Sequence, residues 1–267
     1  MAMRVVITGA GSGLGRALAL RYGAAGARVA CTDRDLSSAE HTLALLTAEG
    51  GSGLAVGLDV TEEAHLSQLA TQLERDWGGI DVLINNAGVA VSGGIDETPL
   101  SDWQWVLDVN VLGVVRGCKA FVPMLRAQGK GQIINIASFA AIANPPGMAA
   151  YNVAKAGVVA LSETLRLELA ADGIAITVVC PAFFPTNLMA SARVAQPATV
   201  GLVQKMMKNS GVTAQEVAEQ IFAAAERKQF LLLTHRDTRL QAAIKRASPE
   251  VFFRLMQKAT AKMFRRR

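Results

Sequence analysis

Arg4-Val5-Val6-Ile7-Thr8-Gly9-Ala10-Gly11-Ser12-Gly13-Leu14-Gly15 runs from a short β-branched stretch into four glycines within seven positions. The residues after it, Leu14–Ala25, carry a helical pattern. A strand that breaks into such a turn and restarts as a helix allows a tight chain reversal and exposes main-chain N–H groups at a helix N-terminus, where an anion is favoured. Taken alone, a glycine-rich stretch reads equally well as a flexible loop. Its place between the first strand and the first helix favours the phosphate-turn reading.

Working outward, six further runs read as strands: Ala27–Thr32, Gly53–Leu58, Asp81–Ile84, Gln132–Ala137, Ile174–Val179 and Phe230–Leu233. Most are continuously apolar, as strands buried on both faces are. Helical patterns lie between them at Leu14–Ala25, Leu36–Glu49, Glu62–Trp77, Ser101–Gln128 and Tyr151–Ala171. The alternation predicts right-handed crossovers and an α/β fold of Rossmann type, a doubly wound, seven-stranded parallel sheet. No repeat or linker interrupts it. The reading is one domain over 1–235, including a substrate segment at 183–212, followed by a basic amphipathic extension at 236–267.

Composition narrows the function classes. Cys31, Cys118 and Cys180 are far apart, which argues against a disulfide framework and a zinc site and suits a reducing compartment. His41, His65 and His235 are equally dispersed, so no metal site is expected. The apolar run near the N-terminus is too short for a secretory signal, and no stretch of about 20 apolar residues is present. A cytoplasmic protein is expected. The net charge of +5 divides into −5 over residues 1–226 and +10 over residues 227–267. The basic character belongs to the tail.

Gly9, Ser12, Gly13, Leu14 and Gly15 are the candidates for cradling a pyrophosphate. Asp33 ends the second strand 18 residues after Gly15, where a carboxylate can bond both ribose hydroxyls of NAD and repel a 2′-phosphate. Arg34 beside it could instead pair with that phosphate, so NADP stays open behind NAD. Asp59-Val60 could reach the adenine. Asn86-Ala87-Gly88, after the fourth strand, offers small residues against which a cofactor could lie, or simply an Asn-rich turn.

Tyr151 and Lys155, four apart at a helix start, share one face. Ser138 closes the fifth strand and Asn110 sits in the preceding helix. Thr-Gly-x-x-x-Gly-x-Gly at 8–15, Asn-Asn-Ala-Gly at 85–88, Asn110, Ser138 and Tyr151-x-x-x-Lys155, in this order and spacing across residues 4–190, resemble the short-chain dehydrogenase/reductase family. The resemblance implies that Tyr151 is the general acid or base and that Ser138 holds the substrate oxygen. It implies further that Lys155 binds the nicotinamide ribose and that Asn110 fixes a water linking Lys155 to solvent. A phenol working near neutrality needs its pKa lowered by roughly 3 units, about 4 kcal/mol, and the Lys155 ammonium and the positive nicotinamide of NAD⁺ have the right sign.

Pro181, Ala182, Phe184 and Thr186 are placed beside the nicotinamide by the same resemblance, with Ala182 standing where the family usually has glycine. A different local path is expected there, because alanine resists positive φ. Cys180 reads as a buried small residue rather than a nucleophile. Phe139, Met148, Phe183 and Leu188, with Met189, Leu202, Val203, Met206 and Met207, suggest an apolar alcohol or ketone, although they could serve only to pack a helix.

In the tail, Leu240, Ile244, Val251 and Leu255 recur at helical spacing among Arg239, Lys245, Arg246, Arg254, Lys258 and Lys262. Such a helix could cover the substrate mouth, meet a neighbouring subunit or lie on an anionic membrane. Nucleic acid is not expected, because stacking aromatics are not interleaved with the charges. The resemblance also implies a homodimer or homotetramer, for which Ala154, Gly157 and Ala160 could permit close helix contact. Rival readings are an NADPH-dependent ketoreductase and a cofactor-binding scaffold without turnover.

Overall fold

A computed structural model describes residues 2–185, 188, 192–195 and 210–261. Seven parallel strands form the main sheet in the order β3-β2-β1-β4-β6-β7-β9. They are β1 (Arg4–Thr8), β2 (Arg28–Asp33), β3 (Ser52–Gly57), β4 (Val82–Asn85), β6 (Gly131–Ile136), β7 (Ile174–Cys180) and β9 (Leu231–Leu233). The doubly wound parallel sheet expected from the sequence is the one observed.

Alternation along each strand divides the apolar residues between two cores, which is why the strands read as unbroken hydrophobic runs. Val5, Ile7, Val29, Cys31 and Ile84 face one core, together with helices α1 (Gly13–Ala24) and α8 (Ala214–Glu226). Val6, Ala30 and Leu83 face the other, with α3 (Glu63–Trp77), α5 (Gly113–Gln128) and α7 (Ala149–Glu168). Asp35 caps α2 (Leu36–Ala48) by accepting from Ser37 N at 3.2 Å. Gly78 and Gly129 end α3 and α5 in the left-handed region, at φ 71° and 65°.

Several elements differ from the sequence reading. The helix expected over Ser101–Gln128 is α4 (Leu100–Leu107), a wide π turn (Asp108–Leu112) and α5 in succession. α8 was not anticipated, though Thr213 and Glu216 form a reciprocal capping box at its start. Two-residue strands β5 (Val91–Ser92) and β8 (Arg193–Val194) pair separately from the main sheet. The tail is two helices, α9 (Arg236–Ala247) and α10 (Pro249–Thr260), broken where Pro249 cannot continue the first.

In a parallel sheet every strand ends at the same edge. Thr8, Asp33, Asn85, Ile136 and Cys180 therefore bring their following loops together, and the chain reverses its winding between β1 and β4. That crevice is where such sheets bind ligands.

Candidate active site

Gly9 and Gly13 adopt φ of 65° and 51°, conformations an L side chain resists. The turn is locked to β4 from above: Asn86 Nδ2 donates to the carbonyls of Thr8 at 2.9 Å and Gly9 at 3.0 Å. Thr8 Oγ1 accepts from the Asn86 and Ala87 amides, both at 3.0 Å. Asn86 thus builds the turn rather than waiting for a ligand. Ser12, the N-cap of α1, makes no side-chain cap bond, and the helix has no acidic residue in its first turn. Those first N–H groups are left for an external acceptor, which fits an anionic pyrophosphate. Leu14 and Phe184 direct their side chains into the first core.

Asp33 sits at the end of β2 with Oδ2 accepting from Gly11 N at 3.0 Å and Oδ1 from Asp35 N at 3.1 Å. The carboxylate is held against the glycine turn, as a ribose ligand requires, while Arg34 is exposed. Asp59 Oδ1 accepts from Thr61 N at 2.9 Å and Thr61 Oγ1 at 2.8 Å, and Val60 is buried. This crevice fits a dinucleotide.

On the far side of the turn, Ser138, Tyr151 and Lys155 converge. Ser138 follows β6; Tyr151 and Lys155 rise from the first turns of α7, both buried. Lys155 Nζ donates to the Ile136 carbonyl at 2.9 Å and lies 5.9 Å from the centre of the Tyr151 ring. Burial pushes the Tyr151 phenol up to about 12, with a hydrogen bond from Ser138 acting against it. Burial also draws the Lys155 ammonium down to about 8. The expected depression of the phenol by Lys155 is therefore not a property of the protein alone. Two groups sharing one dry pocket each lose solvation, and Lys155 points its charge at a carbonyl.

Lys155 gives a pH test. In the unfolded chain it titrates near 10.5, and in the folded protein near 8. Between those values the unfolded chain binds the extra proton, so the burial penalty is relieved as pH rises. Against Lys155→Met, the native protein should gain stability by up to about 3 kcal/mol between about pH 8 and 10.5 in urea titrations. Parallel curves would contradict the burial.

Asn110 lies in the π turn, fully buried. Its Oδ1 accepts from Val89 N at 2.8 Å and its Nδ2 donates to Val89 O at 2.9 Å. Both side-chain polar groups are engaged with the Val89 main chain, so Asn110 clamps the loop that follows β4. It fixes Gly88, where a Cβ would stand 3.1 Å from Asn110 Oδ1 and 3.4 Å from Lys155 Nζ.

Pro181 O accepts from Phe139 N at 2.8 Å, tying the loops after β6 and β7. Ala182 does not adopt positive φ, so the chain takes a path there that alanine accommodates. Met148 and Leu188 pack with Tyr151 in a small apolar cluster that includes Val91, Trp105 and Val106. Phe139 is buried and Phe183 half-buried. Thr186, Met189, Leu202, Val203, Met206 and Met207 lie outside the described residues. Cys31, Cys118 and Cys180 are free and buried, and burial pushes each thiol up to about 12, unsuited to nucleophilic work. Among the described residues no group of three or more His, Cys, Asp or Glu is arranged to hold a metal.

Three supports escaped sequence reading because each depends on packing rather than on spacing along the chain. Asn85 Nδ2 donates to Asn135 Oδ1 at 2.9 Å, and Asn135 Nδ2 to Ser162 Oγ at 3.0 Å, a buried polar chain beneath the site. Asn152, next to Tyr151, donates to the Pro145 carbonyl at 2.8 Å. Lys245 of α9 donates to the Ile142 carbonyl at 2.5 Å, closing the end of α6 (Ala140–Ala143), the helix that follows Ser138.

A glycine turn at a helix start, a carboxylate held against it at the end of β2 and a Ser-Tyr-Lys group on one sheet edge define a nucleotide-linked oxidoreductase class. A model of the short chain dehydrogenase family matches residues 3–197, and the chain belongs to that family. Its members are dehydrogenases and reductases acting on alcohol and carbonyl groups. The 2-(R)-hydroxypropyl-CoM dehydrogenase of Xanthobacter autotrophicus is 34% identical over 85% of this chain and 92% of its own length. A probable oxidoreductase of Mycobacterium tuberculosis, EphD, is also 34% identical, but the chain spans only 40% of its length. Among solved structures, a short chain dehydrogenase/reductase from Burkholderia phymatum in complex with NAD aligns with a TM-score of 0.88 at 32% identity, covering 94% of this chain and 95% of that one.

Proposed function

We propose that this chain interconverts a hydrophobic secondary alcohol and its ketone with NAD(H), using Tyr151 to move the proton. The observation that carries the reading is the convergence of Ser138, Tyr151 and Lys155 beside a glycine turn closed by the Asp33 carboxylate. NAD(H), when bound, supplies a ring that gives or takes hydride and, in its oxidised form, a positive charge near the phenol. The protein's part is orientation and proton transfer.

Ser138 and Tyr151 hold the substrate oxygen from two sides. Tyr151 Oη gives its proton to a developing alkoxide or takes one from an alcohol. Lys155 anchors the ribose side and stabilises the phenolate in the dry pocket. Asn110 acts through Val89, whose N–H and carbonyl it holds, keeping Gly88 against Lys155. Asp33 favours a free ribose diol, and the Burkholderia phymatum neighbour, in complex with NAD, supports that preference. Apolar Met148, Leu188 and Trp105 around Tyr151 favour a hydrophobic substrate. The name of the Xanthobacter relative describes dehydrogenation of a 2-hydroxypropyl group, a secondary alcohol. Residues 1–235 form the catalytic unit in this reading. It works as a homo-oligomer through the outer face of α7, where Val153 and Leu167 are exposed and Ala160 lies between them. Ala154, expected at that contact, is instead buried within the protomer against Tyr151.

Initial rates with each dinucleotide, across medium-chain, aromatic and polyol alcohols, test the proposal. NAD should exceed NADP by at least about tenfold in kcat/KM, a transition-state difference of about 1.4 kcal/mol. Replacing Asp33 by Ala should narrow that gap. Preference for NADP through Arg34, or for polyols, would overturn the cofactor or substrate assignment respectively.

A further inference from the structure

The tail helices carry a charge pattern found nowhere else among the described residues. All seven ion pairs among the described residues lie between Arg4 and Glu219. Arg236, Arg239, Arg246, Arg254 and Lys258 are exposed and form no ion pair with a described residue. Only Asp237 and Glu250 oppose them in sequence over 227–267.

α10 has two distinct sides. Phe252 is 6% exposed, with Lys245 Nζ of α9 5.8 Å from its ring centre, and Met256 one turn on is half-buried. Val251, Arg254, Leu255 and Lys258, at i, i+3, i+4 and i+7, share the other side. Val251 and Leu255 are each 49% exposed, and Phe253 nearby is 56% exposed. A helix at the protein surface normally turns such residues inward. Here the inward side is already filled by Phe252 and Met256.

We propose that this outer face of α10 docks on an anionic lipid bilayer, with the helix lying in the interfacial plane. Cations interleaved turn by turn with Val and Leu match that boundary: the aliphatic side chains enter the acyl edge while Arg254 and Lys258 extend to lipid phosphates. A protein partner would have to set a carboxylate opposite each cation and an apolar pocket between them, whereas a fluid headgroup layer supplies both without fixed register. A second copy presenting its own tail would meet like charge. No helix among the described residues is long and apolar enough to cross a membrane, so the contact is peripheral. Because α9 joins α10 to α6, docking would hold the loop after Ser138 near the lipid. The docking claim does not depend on the reaction assigned to the site.

Co-sedimentation of the full chain with vesicles tests it. Binding to vesicles of phosphatidylserine mixed with phosphatidylcholine should exceed binding to phosphatidylcholine alone by at least about tenfold and should fall as salt screens the charges. The pair Val251→Ser with Leu255→Ser, and separately Arg254→Glu with Lys258→Glu, should each lower binding to the phosphatidylcholine level. Thermal melting and chromatographic size of each variant, unchanged from the native protein, show that folding is intact. Equal binding to both vesicle types, or undiminished binding by the charge-reversed variant, would overturn the proposal. A native protein that ignores lipid, but whose oligomer dissociates on charge reversal, would assign the face to a second copy instead.

Discussion

Tyr151→Phe is expected to lower kcat by about 10³-fold while leaving dinucleotide affinity unchanged. The ring belongs to the apolar cluster with Ala150, Ala154 and Val106, and phenylalanine keeps that packing. What disappears is one buried hydroxyl whose proton is held tightly, since burial lifts it to about 12. The variant should therefore melt no lower than the native protein. Turnover by reduced-nicotinamide absorbance, with binding by nicotinamide fluorescence, separates the two effects. A fall in affinity matching the fall in rate would mean that Tyr151 serves binding and that the proton moves elsewhere.

Gly15→Ala should damage the other half of the site and the fold with it. A Cβ at Gly15 would stand 2.0 Å from the Gly9 carbonyl oxygen, 2.8 Å from its carbon and 2.6 Å from Asn86 Nδ2. Two of those atoms are main chain and cannot swing aside. Relief requires separating the first turn of α1 from Gly9 and breaking the Asn86 bonds that tie β1 to β4. Destabilisation of about 3 kcal/mol, the upper end for overpacking, is expected together with loss of measurable dinucleotide binding. Gly157→Ala on α7 is the control. Within the protomer its Cβ would meet nothing closer than Val111 Cγ2 at 3.5 Å, so helix propensity should stabilise the protomer by up to about 1 kcal/mol. Chemical denaturation of both variants decides whether close approach, rather than any added methyl, is responsible.

How far the sequence could be read depended on whether the controlling physics was local. The seven strands of the main sheet were legible because burial on both faces leaves continuous apolar runs such as Val5–Ile7 and Ile133–Ile134. The glycine turn and the Tyr151–Lys155 pair were legible because backbone freedom and helix periodicity act over a few residues. The π turn at Asp108–Leu112 was not, since nothing in those residues breaks helical periodicity; the insertion follows from seating Asn110 on Val89, 21 positions away. β5 and β8 are too short to show alternation. α8 announced itself in Thr213 and Glu216, a signal the reading passed over. The environment of Tyr151 was only half legible: spacing places Lys155 on the same face, but only packing reveals that both are desolvated and that Lys155 is turned to Ile136.

Ala182 makes the opposite point. The family pattern suggested a different path at a position where glycine is usual, and the chain passes through Ala182 without positive φ. A missing glycine signals a changed path only where the original conformation was one that other residues resist. The tail belongs to the same lesson. Its amphipathic pattern was visible, but which side is covered depended on α9 reaching back to Ile142.

The most direct test is a crystal structure of the protein with NAD(H) and a poorly reactive alcohol or ketone. The account predicts Tyr151 Oη and Ser138 Oγ both within about 2.6–3.2 Å of the ligand oxygen, with the carbon bearing it facing the nicotinamide ring. A ligand oxygen bonded by neither hydroxyl, or a dinucleotide whose ribose diol does not meet Asp33, would contradict it.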